Sequence, residues 1–153
     1  KGWKDLGRLY VEEDRLLEAL MAYRRLTELD GYQGYREMGL LYEEMGDLVD
    51  AVATFQKILV ENPEDGDTHY DLARIYQRRG MTSNSIKHYK EALRVNSDHL
   101  AAIKLLGALY LQTGRDADAL MLIGPAHKRW PGDVNLLSLW NRVKGAEQPG
   151  SVR

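Results

Sequence analysis

THYDLARIYQRRGMTSNSIKHYKEALRVNSDH, residues 68–99, holds two apolar-periodic halves separated by Gly80-Met81 and closed by a polar exit. The same outline recurs on both sides of it. Aligning Gly7, Gly39, Ala73 and Gly107 gives intervals of 32, 34 and 34 residues. One residue before each stand Leu6, Met38, Leu72 and Leu106, and three after stand Tyr10, Tyr42, Tyr76 and Tyr110. Twelve residues after each small residue comes another, Ala19, Ala51, Ser85 and Ala119, followed four later by Tyr23, Phe55, Tyr89 and Ile123. A period of this length kept along a chain is the mark of a repeat architecture.

The spacing dictates the local structure. Leu6, Leu9 and Tyr10, then Ala19, Leu20, Tyr23 and Leu26, form apolar stripes at helical period, so each repeat reads as two antiparallel helices. The small residues let helix backbones approach, and the tyrosine three positions on shares their face. Helices this short are marginal alone in water, and stacking is what hides the stripes. Each large apolar side chain fully buried contributes roughly 1.5–3 kcal/mol.

Breakers set the boundaries. Asp14, Gly46-Asp47, Gly80 and Gly114 fall between the first and second helices of the repeats. Gly31, Asn62-Pro63, Asn96-Ser97 and Pro131-Gly132 are expected to end the second helices. The link from Asp30 to Gly34 is two residues short and contains two glycines, which suggests a changed stacking angle there. Gly124-Pro125 predicts a kink, or a helix broken there and restarted at Pro125, because proline lacks the N–H that would reach Met121. Asp133 is placed to cap a last helix with the stripe Leu136, Leu137, Trp140 and Val143, which closes the stack. The expected organisation is repeats at about 1–31, 32–65, 66–99 and 100–132, a capping helix at 133–144, and a flexible tail at 145–153.

The pattern W-x2-L-G-x2-Y, then A-x3-F, then P stands here as Trp3, Leu6, Gly7 and Tyr10, and as Tyr35, Met38, Gly39, Tyr42, Ala51, Phe55 and Pro63. At this period it resembles the tetratricopeptide repeat (TPR) over about residues 2–131. The resemblance implies an all-α, right-handed superhelical solenoid of antiparallel helix pairs. It also implies a concave groove, lined by the first helices, that takes a partner's peptide or helix. The lining positions carried over are Lys4, Asp5, Arg8, Val11 and Glu12, then Gln33, Arg36, Glu37, Leu40, Glu43 and Glu44. After them come Asp67, Tyr70, Asp71, Arg74, Gln77 and Arg78, and then Ala101, Lys104, Leu105, Ala108, Leu111 and Gln112, with Leu139 from the last helix.

Relatives that hold chaperone C-terminal carboxylates use a clamp of Lys, Asn, Asn, Lys and Arg. Those positions read Lys4, Arg8, Glu37, Asp67 and Asp71 here, or Arg36, Leu40, Asp71, Ala101 and Leu105 one repeat on. Acids repel a carboxylate and apolar groups leave it unpaired, so that ligand class is excluded. What remains is a gradient from a charged first half to an apolar floor of Ala101, Leu105, Ala108, Leu111 and Leu139. Tyr70, Arg74 and Arg78 stand beside that floor, where Arg74 or Arg78 is expected to meet acidic residues of an amphipathic helix or extended apolar peptide. The competing reading packs these leucines against the C-terminal helix or tail.

The remaining chemistry is sparse. The four histidines lack metal-ligand spacing, and the chain has no cysteine, so neither disulfides nor thiolates enter and the redox compartment is left open. The pairs Glu12-Glu13, Glu43-Glu44 and Glu64-Asp65 are sequence neighbours about 100° apart on a helix, which reads as solvated surface. No phosphate loop, nucleophile elbow or dinucleotide fingerprint is present, so an enzyme is not expected, nor any cofactor or metal. No apolar run approaches the roughly 20 residues that span a bilayer, and no basic cluster suggests nucleic acid. The start, Lys1-Gly2-Trp3-Lys4, reads as that of an excised fragment, and a cytoplasmic setting is favoured over a periplasmic one.

Residues 1–66 carry 8 Lys/Arg against 15 Asp/Glu, and residues 67–153 carry 13 against 8, within a net charge of −2. Such a dipole orients encounters and favours head-to-tail contact. The expected role is a non-catalytic scaffold or adaptor for a protein or peptide partner. Self-association as a homo-oligomer, or service as the regulatory domain of an enzyme or an envelope or secretion assembly factor, are the alternatives.

Overall fold

The computed structural model describes residues 2–146. Among the described residues there are nine helices and no strand: α1 (Trp3–Glu12), α2 (Leu16–Leu29), α3 (Gly31–Met45), α4 (Leu48–Glu61), α5 (Gly66–Arg78), α6 (Thr82–Val95), α7 (Leu100–Gln112), α8 (Asp116–Arg129) and α9 (Val134–Ala146). The chain divides into two compact units, residues 1–85 and 86–153, with the division inside α6.

Each tight turn between paired helices is built the same way. The carbonyl of the repeated tyrosine accepts a bond from the N–H five residues on: Tyr10 from Arg15 at 2.8 Å, Tyr42 from Asp47 at 2.9 Å, Tyr76 from Met81 at 2.9 Å and Tyr110 from Arg115 at 2.8 Å. This six-to-one closure needs a left-handed residue inside it. Asp14 (φ 59°), Gly46 (82°), Gly80 (70°) and Gly114 (70°) supply it. Asp14 does what glycine does elsewhere, as one of the few side chains that tolerate this conformation.

In the first unit α1 packs on α2, α2 on α3, α3 on α4 and α4 on α5. The small residues of the repeat sit against the large residue sixteen positions on. A β-carbon on Gly7 would fall on the Tyr23 ring, and one on Gly39 would lie 2.8–3.0 Å from the Phe55 ring. One core joins Ala51, Val52, Phe55 and Ile58 of α4 to Leu72, Ile75 and Tyr76 of α5. A second joins Ala19 and Tyr23 of α2 to Leu41 of α3. Where Ser85 replaces the usual alanine, its buried hydroxyl donates to the Ala73 carbonyl at 2.8 Å. In the second unit α7 packs on α8, and α9 packs on both. Gly107 makes room for Ile123 there, 2.7 Å from where its β-carbon would stand.

Three expectations are corrected. Gly31 does not end a helix: Asp30 alone separates α2 from α3, and Gly31 opens α3. Of the two outcomes expected at Gly124-Pro125, a kink or a break, the break does not occur, since α8 continues to Arg129 with Pro125 inside it. Pro125 and Met121 lie on the exposed side of α8, so the carbonyl that loses its donor faces water instead of a dry interface. On α9 the buried stripe is Leu136, Leu139 and Val143, with Leu137 exposed. The helix itself stands as read, with the N–H of Leu136 donating to Asp133 Oδ1 at 2.8 Å. Of the expected tail, residues 145 and 146 belong to α9, and the rest lies outside the described residues.

Candidate partner-binding surface

The expected lining residues fall on both units. In the first unit α1, α3 and α5 carry Lys4, Arg8, Arg36, Leu40, Tyr70, Arg74, Gln77 and Arg78. Their cations turn to carboxylates of the neighbouring helix. Lys4 Nζ lies 2.8 Å from Glu37 Oε1, with Arg8 Nη2 at 3.5 Å from the same oxygen. Arg36 Nη1 stands 3.0 Å from Asp71 Oδ2, an ion pair whose angles do not make a hydrogen bond. Arg74 Nη2 donates to Glu43 Oε1 at 2.7 Å and Nη1 to Asp71 Oδ1 at 3.4 Å, with the guanidinium 5.7 Å from the Tyr70 ring centre. Arg78 Nη1 reaches the Glu43 carbonyl at 3.2 Å and carboxylate at 3.3 Å.

Glu43 and Asp71 are the centres of this network, and both are buried, 6% and 3% exposed. A carboxylate is held at such depth only with cations and donors around it. Burial pushes the Asp71 carboxyl above the usual aspartate range, with Arg36 and Arg74 pulling it back and Glu43 adding to the rise. One reading is overturned: Glu43 is not a solvated-surface acid, although its neighbour Glu44 is exposed. Arg74 and Arg78 pair with Glu43 within the chain, with 36% and 49% of their side chains left exposed. Leu40 is half-buried and packs on the α4–α5 core.

In the second unit Ala101, Lys104, Leu105, Ala108 and Leu111 are partly exposed on α7. Leu139 is not among the lining residues, because it is buried in the core at 8% exposure. Lys104 Nζ bonds Asp133 Oδ2 at 2.9 Å, so one carboxylate both caps α9 and ties it to α7.

The Lys104 bond, with help from the Leu136 N–H, holds the Asp133 carboxyl below the usual aspartate range. A lowered folded value means the contribution is complete above the ordinary aspartate pKa and is lost as pH falls through the lowered one. An acid titration followed by amide NMR should therefore show the first turn of α9 loosening below the ordinary aspartate range. Lys104→Met should move that loosening to higher pH, and an unchanged titration would refute the tie.

Three of the four histidines have structural tasks. His69 Nε2 lies 3.0 Å from the Pro63 carbonyl, and His99 Nδ1 accepts the Ala102 N–H at 3.2 Å, capping α7. The His127 ring stacks on Trp140 at 5.5 Å. Among the described residues no group of three or more His, Asp or Glu is placed to hold a metal ion. No helix of the described residues is long and apolar enough to cross a membrane.

Solved structures of similar fold bear on this arrangement. A tetratricopeptide repeat protein from Parabacteroides merdae ATCC 43184 superposes with a TM-score of 0.85 at 16% identity, over 95% of this chain and 59% of that one. MamA superposes at 0.81 with 18% identity, over 95% and 80% of the two chains. YrrB, a TPR protein with an unusual peptide-binding site, superposes at 0.70 with 19% identity, over 97% and 86%. At these identities the likeness shows the fold, an α-helical TPR solenoid. The chain spans little more than half the length of the first of these relatives. No curated protein matches the sequence significantly. Residues 35–148, well over half of the chain, match the Cilia and flagella-associated protein 70 middle TPR-like domain, and the chain belongs to that family of helical interaction repeats.

Proposed function

We propose that the chain is a non-catalytic scaffold that takes an apolar peptide or amphipathic helix of a partner protein on the exposed face of α7. The observation that carries this is the row Ala101, Leu105, Ala108 and Leu111, at helical spacing and left partly exposed although α8 and α9 both pack on α7. Apolar side chains kept at a surface in a continuous row are the usual mark of a partner site. The cations of the first unit support the same choice by default, since their carboxylates are internal and apolar contact is the recognition left to α7. That YrrB, of like fold, has a peptide-binding site agrees with it.

The test is Leu105→Glu combined with Leu111→Glu. Both side chains are partly exposed, so helicity and melting temperature should hold. Partner capture, read by crosslinking and affinity purification, should fall at least about tenfold, as a buried charge without a partner costs more than the about 1.4 kcal/mol that tenfold represents. An unchanged set of captured proteins at unchanged stability would remove the reading.

A further inference from the structure

A hollow of about 610 Å³ lies in the first unit where α2, α3 and α4 come together, each of them packed on a helix at either side. Tyr32, Tyr35 and Ile58 give it apolar walls, and Glu61 and Asn62 line it from the end of α4. In the second unit a hollow of about 300 Å³ holds the same place in the repeat. Gly39 and Ala51 correspond to Gly107 and Ala119, 68 positions on. In that register Tyr35 becomes Ile103, Ile58 becomes Ala126, Glu61 becomes Arg129 and Asn62 becomes Trp130, and all four line the second hollow.

The two hollows differ in charge. In the second unit Arg129 meets Asp98, with Nη2 2.6 Å from Oδ2 and Nη1 bonded to Oδ1, and its guanidinium lies 5.0 Å from the centre of the Trp130 ring. An acid, an aromatic ring and a guanidinium thus form one unit there. In the first unit the position of Asp98 is Asp30, still an acid and next to Gly31, which lines the hollow, but that of Arg129 is Glu61. The acid and the aromatic walls are kept, and the cation has become a second acid. Asp30 Oδ1 accepts the Gln33 N–H at 2.9 Å, and among the described residues neither Asp30 nor Glu61 forms an ion pair. Burial pushes the Tyr32 phenol above its ordinary range, and nearby Asp65 adds to the rise while Arg36 opposes it. The bases beside the hollow are accounted for. Arg36 is paired with Asp71, and Lys57 Nζ lies 5.1 Å from the centre of the Tyr35 ring without lining the hollow.

We propose that the hollow between α2, α3 and α4 is a binding site for a guanidinium group, which takes the place that Arg129 fills in the second unit. Glu61 and Asp30 supply its counter-charges, and the Tyr32 and Tyr35 rings supply faces for a flat cation. A guanidinium is preferred to an ammonium because the chain's own occupant of this position is one. Its planar fork meets a carboxylate along one edge while its face lies on a ring, which a compact ammonium cannot do. Without it two like charges border one hollow, and a bound cation removes their repulsion. The proposal does not rest on the reading of α7.

The probes are methylguanidinium, standing for a free small molecule, and the blocked peptide Gly-Gly-Arg-Gly-Gly, standing for a polypeptide side chain. Titrated into the isotope-labelled chain, they should move the Tyr32 and Tyr35 ring signals, the Ile58 methyls and the Asn62 side-chain amide. Tighter binding of the peptide assigns the site to an arginine of a polypeptide, and equal or tighter binding of methylguanidinium assigns it to a small guanidino compound. The same peptide with citrulline for arginine keeps the shape without the charge, and should bind at least about tenfold more weakly. Glu61→Gln, at an exposed position, should weaken the binding probe about tenfold. Tyr32→Leu, where the ring is 43% exposed, should weaken it about threefold. Glu61→Arg restores the pattern of the second unit, and should abolish binding with the melting temperature held or raised. No shift at millimolar concentration, equal binding of the citrulline peptide, undiminished binding by Glu61→Gln, or shifts centred on the acids Glu12 and Glu44 would each overturn the proposal.

Discussion

Phe55→Ala is expected to lower the unfolding free energy by about 3–5 kcal/mol, the range for emptying a fully buried aromatic site. Phe55 has no exposure at all, and its ring is shared by three helices. It rises from α4, lies against the bare backbone of Gly39 on α3, and packs with Leu72 and Ile75 of α5. Truncation thus weakens a helix pair and a stacking step together, and a stack of repeats depends on such nearest-neighbour contacts. Urea unfolding followed by helical circular dichroism measures the loss, and a value under about 1 kcal/mol would mean that the three helices close over the gap. A double-mutant cycle sharpens the result. Gly39→Ala alone drives a methyl into the Phe55 ring and should destabilise, whereas in the Phe55→Ala background the same methyl enters empty space. The sign of its effect should reverse, a coupling expected of residues in direct contact.

Gly34→Ala is the second large effect, and helix propensity predicts it with the wrong sign. Gly34 lies inside α3, where alanine should gain about 1 kcal/mol over glycine. The added β-carbon would instead stand 2.5 Å from the Thr27 backbone nitrogen, 2.7 Å from its α-carbon and 2.6 Å from its Cγ2. Two of these three atoms are main chain, so no rotamer change at Thr27 relieves the clash, and α2 and α3 must part. A net loss of about 3 kcal/mol, at the upper end for overpacking, is expected in the same urea experiment. Thr27→Ser should not rescue it, because the obstructing backbone remains. A stabilised Gly34→Ala would show that the two helices are not held at this distance.

These two positions also show what is legible in a sequence of this kind. Phe55 and Gly39 are sixteen residues apart in a pattern repeated along the chain, so their contact follows from period and residue size. The tight turns follow as well, since Gly46, Gly80 and Gly114 stand where a left-handed residue is required. Gly31 and Gly34 carry the opposite lesson. As residue types they signal a loop, yet both are helical; at Gly34 the reason is a close crossing, which needs a missing side chain as much as a turn does, whereas a β-carbon on Gly31 would meet only the Tyr35 ring, at 4.0 Å. Pro125 likewise reads as a break until its neighbours are known to face solvent. On the candidate surface, the residues of α7 were readable from the repeat register. The fate of the arginines was not, because Arg74 and Glu43 are 31 residues apart and the register does not say which of two facing charges is buried. The one available signal was that this separation is close to the repeat length, which sets an acid of one helix against a base of the next. Leu139 was misplaced for a simpler reason: Leu137 and Leu139 stand on opposite edges of the stripe formed by Leu136, Trp140 and Val143, and spacing alone does not say which edge turns inward.

Asp30 gives the first unit a property its individual bonds do not. It ends α2, with its N–H donating to the Leu26 carbonyl at 2.8 Å, and begins α3, with its carboxylate accepting the Gln33 N–H at 2.9 Å. Helix ends ordinarily fray independently, because each has its own cap and a stretch of loop to absorb the motion. Here a single residue is the last of one helix and the first of the next, so unwinding either end removes the cap of the other. The α2–α3 boundary thereby lacks the soft joint found at the Asn62-Pro63 turn, and repeats one and two are joined into a longer cooperative segment than their sequence period implies.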